Sequence, residues 1–256
     1  TLDSNGTGIY RPTNTASGAY SIATGFQTEA SGNYSTAMGR NTIASGNNSI
    51  AMGYLTTASG DYSTAMGAGT ASGEFSTAMG DATTASGNNS IAMGYLTTAS
   101  GMFSFAMGGD SGSYAEGDYS FAFGQSYASG EYSTAMGYSN ASGMFSFAMG
   151  DGNATGDYST ATGNGTIASD YASTVIGQIN LTGATPTSAT NFSLDAPAFV
   201  IGNGLDFDNR SDAFSILFDG TTNIAGSVTA TSFIGDGSQL TGITGTEGKS
   251  AYEIAV

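Results

Sequence analysis

One ten-residue phrase returns twelve times along this chain at nearly constant spacing, and that regularity limits what the chain can fold into. The unit is Ala-Ser-Gly-x-[Tyr/Phe/Asn]-Ser-x-Ala-Met-Gly followed by three to six variable residues, as in "ASGNNSIAMG". Copies begin at Ala16, Ala30, Ala44, Ala58, Ala71, Ala85, Ala99, Ala115, Ala128, Ala141, Ala154 and Ala168. The steps run 14, 14, 14, 13, 14, 14, 16, 13, 13, 13 and 14 residues. Helix-pair repeats need about thirty residues or more, so a period near fourteen excludes them. Two fixed glycines per unit would each cost a helix about 1 kcal/mol.

The stretch from the aromatic residue to Met alternates. In "YSTAM" (34–38), Tyr34, Thr36 and Met38 point one way and Ser35 and Ala37 the other, the period of a short strand. The glycines on either side supply turns: Gly32, Gly39, Gly46, Gly53, Gly60 and Gly67 in the first coils. The unit therefore predicts one coil of a parallel β-solenoid, stacked on the next. Twelve coils at roughly 4.8 Å each give a rod of about 55–60 Å. The degenerate last copy, "ASDYASTVIG", suits a terminal repeat.

Stacking turns each position into a ladder. The bulky ladders contain Met38, Met52, Met66, Met79, Met93, Met107, Phe123, Met136 and Met149, with Ile50, Ile91, Phe105 and Phe147 beside them. The opposite strand face is nearly all Ser and Ala. Two arrangements fit this pattern. The bulky stripe could lie near the axis of a homotrimer, or inside each coil of a monomeric rod. A third row holds Tyr20, Tyr34, Tyr62, Phe75, Phe103, Tyr119, Tyr132, Phe145 and Tyr158, interrupted by Asn48 and Asn89.

Composition narrows the function. The chain has 256 residues and a formal charge of −16 with only four basic residues, Arg11, Arg40, Arg210 and Lys249. Such a surface repels phosphate backbones, so nucleic acid is excluded as a partner. Without His or Cys there is no Ser-His or Cys-His pair and no zinc site. No apolar run approaches a membrane span, so no direct membrane insertion is expected. The residue after Ser-Gly is often acidic, as in Asp61, Glu74, Asp118, Glu131 and Asp157, and reads as a solvated turn edge. "DGNATGD" (151–157) mimics a calcium loop but has Thr162 where the bidentate Glu belongs. "LDFDNRSD" (205–212) reads as a turn with a local ion pair around Arg210. We expect no catalytic residues, no metal and no cofactor. Thr rows on a solenoid suggest ice binding, but here they are broken by Ile and Phe.

"NSIAMG" at 48–53 and 89–94 resembles the head repeat of YadA-like trimeric autotransporter adhesins, N-S-[V/I]-A-[I/L]-G. The resemblance covers 16–177 and implies a left-handed parallel β-roll assembled as a homotrimer. Most copies depart from it by carrying Tyr or Phe for Asn, and Met for Ile. "AFVIGNGLDFDNRSDAFSILFDG" (198–220) and "NIAGSVTATSFIGDGSQLTGI" (223–243) resemble the neck and β-prism shaft of phage tail fibres whose chains carry an intramolecular chaperone. "GKSAYEIAV" (248–256) resembles the start of a linker in such proteins. The expected order is an N-terminal cap or docking segment (1–15), the all-β roll (16–177), a linker (178–197), neck or capping strands (198–222), and shaft with tail (223–256). Beginning at Thr1, the chain reads as a mature or excised piece.

The expected function is structural and adhesive, in an extracellular or cell-surface homotrimeric fibre, or a virion tail fibre. Its partners would be itself and a surface receptor or glycan. The alternatives are a subunit of an end-to-end filament and, less favoured, an ice binder or a polysaccharide-degrading tail spike.

Overall fold

The computed structural model describes residues 13–182, 188–232, 234 and 241. Most of the N-terminal segment 1–15, the centre of the expected linker, most of the expected shaft and the tail at 248–256 lie outside the described residues. The chain divides into two compact units, Thr1–Ala225 and Gly226–Val256. Strand Thr222–Ile224, which opens the expected shaft, belongs to the first unit.

Among the described residues the fold is all-β, a solenoid of about twelve turns without helix. A typical coil has a longer strand such as Ile50–Tyr54 and a short one such as Thr57–Ala58. In four coils the two fuse, for example in Thr77–Ala85. Stacking is parallel and keeps the repeats in phase. Thr36 pairs with Ile50 and Met38 with Met52, Thr64 with Thr77 and Met66 with Met79, and Ile91 with Phe105 and Met93 with Met107. Each backbone thus satisfies its polar groups against the coils on either side, the condition for burying it in so thin a layer.

Small residues fill the interior. Ala37, Ala51, Ala65, Ala78, Ala92, Ala106 and their equivalents are fully buried, with Ser35, Ser49, Ser63 and Thr42 beside them. Some inner hydroxyls reach carbonyls across the lumen: Thr56 Oγ1 donates to Gly67 O at 2.8 Å and Ser126 Oγ to Ala135 O at 3.0 Å. Of the two arrangements the alternation allowed, the one with Met inside the coil is excluded. Lumen side chains this small let the two walls close together, and Met faces outward.

Beyond the last repeat the roll continues. Strand Pro197–Asn203, later in the chain, pairs in parallel with Thr174–Gln178, setting Val200 against Val175 and Ile201 against Ile176. Asp212–Leu217 and Thr222–Ile224 then add antiparallel. The strand direction reverses there, and the parallel stack ends.

Candidate interaction surface

The outward side of the longer strands is a largely apolar face, with Thr36, Thr64, Thr77, Thr134, Thr160 and Thr162 set among its Met, Ile and Phe side chains. Met38, Ile50, Phe123 and Met149 are exposed, and Met52, Met66, Met79, Met93, Met107, Met136, Ile91, Phe105 and Phe147 are half-buried by their rung neighbours alone. Phe105 and Phe121 stack at 5.0 Å with planes 4° apart. The face does not stop with the repeats. Phe199 and Ile201 continue the columns of Thr174 and Ile176. Their antiparallel partners Ile216 and Phe214 share that side, as directly opposed residues must. The predicted bulky ladder therefore lies on one side, as an outer surface rather than a coil core.

The turn glycines sit at two corners. Gly32, Gly46 and Gly60 stack on the backbone of the following coil, while Gly39, Gly53 and Gly67 have φ of +128°, +131° and +93°. Sequence reasoning missed the geometry of the aromatic row. Tyr34, Tyr62, Phe75, Phe103, Tyr119, Tyr132, Phe145 and Tyr158 all lie in the left-handed region, with φ between +55° and +60°. Asn48 and Asn89 occupy the same position at +56° and +58°. Asn adopts this region at less cost than a ring, so the Asn of the family-like motif fits the backbone. What offsets the strain in the other copies is stacking. Phe103, Tyr119, Tyr132, Phe145 and Tyr158 form an unbroken pile with centroids 5.2, 4.8, 4.6 and 5.1 Å apart. Such pairs contribute about 0.5–1.5 kcal/mol each beyond their buried area.

The residue just before the ring is also more than a solvated edge. Its side-chain oxygen accepts the main-chain N–H of the equivalent residue one coil earlier. Asn33 Oδ1 takes Ala19 N–H at 3.0 Å and Asp61 Oδ1 takes Asn47 N–H at 2.7 Å. Asp118 takes Met102 N–H at 2.7 Å, and Asp157 takes Met144 N–H at 2.8 Å. Asn or Asp clips consecutive coils together here. The signal was present in the sequence as the frequency of short Asx side chains at this position.

The remaining candidates resolve into structure. "DGNATGD" begins inside strand Phe147–Ala154 and runs into the next corner rather than forming a loop. In "LDFDNRSD" the turn is present, but the expected ion pair is replaced. Asp206 Oδ1 accepts from Asp208 N–H and Asn209 N–H, while Arg210 donates to the carbonyls of Asn180 and Gly165 at 3.1 and 3.4 Å. The Arg210 guanidinium also lies over the Phe207 ring. These carbonyls belong to the end of the roll, so the arginine fastens the return loop. Among the described residues no three His, Cys, Asp or Glu side chains gather.

Where the short strands end, the inner side of the added sheet borders a cavity of about 460 Å³ lined by Val175, Val200 and Leu217 together with Asp170 and Asp212. Burial pushes the carboxyl groups of Asp170 and Asp212 above the usual carboxylate range, and the N–H of Leu181 partly offsets this for Asp212. A carboxyl raised in the folded state stabilises relative to neutral pH only while protonated. That contribution is complete below the unfolded value of about 3.9 and is lost as pH rises through the folded one. Asp170→Asn is therefore expected to raise the melting temperature at pH 7, with the gain shrinking to nothing near pH 3. Melts of both proteins across this range check it, and an equal gain at both ends would refute the burial argument.

Comparison with known proteins agrees with this geometry. No curated relative matches the chain. The model of the YadA head domain repeat, in its two-copy form, matches residues 16–42, 44–70, 71–97, 85–111, 124–139, 128–153 and 154–178. With more than half of its residues inside those matches, and with the motif glycines and inner alanines at the positions that make the solenoid, the chain belongs to the YadA head-domain repeat family.

Proposed function

We propose that this chain is the head, with the beginning of a shaft, of an extracellular homotrimeric fibre that projects from a surface and adheres to others. The observation that carries this reading is the long, largely apolar face of Met, Ile and Phe outside a roll whose interior is filled by Ala and Ser. Large Met, Ile and Phe side chains gain roughly 1.5–3 kcal/mol each when removed from water. A stripe this long, left open, would exceed the apolar patches that soluble monomers carry. Three copies meeting along it would cover the stripe and leave the aromatic and acidic corner facing solvent. The fibre's work is then display and adhesion rather than catalysis.

End-to-end stacking of rods, the filament reading, is disfavoured at one end. The antiparallel strands Asp212–Leu217 and Thr222–Ile224 reverse the chain direction, so a second parallel roll finds no matching edge there. The segment after Ala225 would form the shaft, following the tail-fibre resemblance.

Mass in solution tests the assembly. We expect three times 25.5 kDa for the chain, and a monomer overturns the trimer. Met66→Asp places a charge in the middle of the face and is expected to shift the mass to 25.5 kDa while leaving the β spectrum intact. A trimer unaffected by it would mean that another face lies on the axis.

A further inference from the structure

The aromatic pile at the ring corner is broken twice, at Asn48 and at Asn89. Both interruptions come from the one seventeen-residue phrase that the chain repeats without change, at 44–60 and 85–101. Each Asn rung lies between two rings, Tyr34 and Tyr62 in the first case and Phe75 and Phe103 in the second. The backbone continues in register through both gaps, since Asn48 N–H donates to Asn33 O and Asn89 N–H to Glu74 O, each at 2.8 Å, as the aromatic rungs do. Only the ring is missing.

The flanking rings are correspondingly open. Tyr34, Tyr62, Phe75 and Phe103 are 60%, 52%, 51% and 49% exposed, against 42%, 43% and 44% for Tyr119, Tyr132 and Phe145, which have a ring on both sides. Two rung steps put the facing rings about 9.6 Å apart, so one planar group seated midway lies about 4.8 Å from each. Asn is too short to fill the outer part of that gap, and its amide forms the floor.

The chain itself shows what fits such a slot. At the opposite corner of the first coils, the Arg40 guanidinium lies between the Phe26 and Tyr54 rings, 5.5 and 5.4 Å from their centroids. A cation over an aromatic face within about 6 Å is attracted by the ring quadrupole, and a guanidinium adds planar stacking. The charge around the two slots favours the same group. Asp61 adjoins Tyr62 at the first and Glu74 adjoins Phe75 at the second. Arg40 and Arg210, the basic residues among those described, are both engaged elsewhere.

We propose that the Asn48 and Asn89 rungs are paired slots for arginine side chains of a basic, extended polypeptide lying along the rod. The spacing sets the register. The slots are three coils apart, about 14 Å. Arginines four residues apart on an extended strand span about 13–14 Å and point to the same side. Guanidinium planes would enter from solvent, stack between the rings and donate to the Asn Oδ1 beneath and the carboxylate beside. This names a partner for the adhesive reading and does not depend on the trimer.

The test uses the whole chain and a fluorescein-labelled peptide, Ser-Arg-Thr-Ser-Thr-Arg-Ser, followed by anisotropy. Saturable binding is expected, and replacing both arginines with lysine should weaken it at least tenfold. Asn48→Tyr with Asn89→Phe completes the pile and should weaken binding by a similar factor. Tyr62→Asn with Phe75→Asn removes one ring from each slot while keeping a residue suited to the left-handed backbone, and should do the same. Undiminished binding by either double variant, equal binding of the lysine peptide, or no saturable binding by the natural chain overturns the proposal. The mass of each sample, measured alongside, reports on assembly separately, so failure of one reading is distinguishable from failure of the other.

Discussion

Gly94→Ala is expected to destabilise the roll by about 3–5 kcal/mol, among the largest effects a single methyl can have. Two independent reasons coincide at this position. Gly94 has φ +116°, a conformation L side chains rarely adopt. A Cβ added there would also run into the carbonyl oxygen of Gly108 in the next coil. The obstacle is backbone, not the tip of a flexible side chain, so relief requires the coils to part. Coils contact mainly their immediate neighbours, and stability in such stacks is close to a sum of nearest-neighbour terms, so one parted junction is felt as a loss of continuity. Gly109→Ala is the control. It lies in the sixteen-residue coil, its added Cβ meets nothing within 4 Å, and its expected effect is within about 0.5 kcal/mol. Denaturant unfolding of the two variants makes the comparison. Equal midpoints would mean that the stack is looser than the register implies.

That contrast also shows which parts of the fold were legible from residues alone. Period, strand alternation and corner glycines were readable because each is enforced in every coil by the same backbone contact. The same repetition hid the corner geometry. Tyr34 alternates correctly with Thr36 and Met38, so it reads as a strand residue, and nothing in a ring announces a φ of +58°. The copies with Asn at that place held the information, because Asn is the side chain that tolerates the left-handed region. Likewise Asp118 and Asp157 read as solubility until their oxygens are seen accepting N–H groups from the coil before.

The end of the roll was hidden for a different reason. Strand Pro197–Asn203 joins the stack further along the sequence than one repeat period, so spacing carries no trace of it. Its one mark is "FVIG" at 199–202, a copy of "TVIG" at 174–177 with which it pairs residue for residue. The surface that matters for function was half legible. Residue types marked the bulky face, but whether Met or Ala lines the lumen depends on how closely the two walls of a coil approach. Spacing along one strand does not contain that distance.

Substitutions at neighbouring residues measure it directly. Ala92 is fully buried in the lumen and Met93 points out from the same strand. Ala92→Leu is expected to cost about 3 kcal/mol or more, because a close-packed interior cannot absorb three extra carbons without separating the walls. Above and below it in the same column stand Ala78 and Ala106, both fully buried, so the displacement propagates along the lumen instead of relaxing into a gap. Met93→Leu conserves volume on a surface with room to adjust, and about 1 kcal/mol or less is expected. The chain's own exceptions support the asymmetry. Val175 and Val200 occupy that inward column only at the roll's end, where the short strands have stopped and the wall opposite has been replaced by the cavity beside Asp170. Denaturant titrations of the two variants decide the matter. If Ala92→Leu proves no more damaging than Met93→Leu, the lumen is wider than described and the apolar face loses its reason for lying outside.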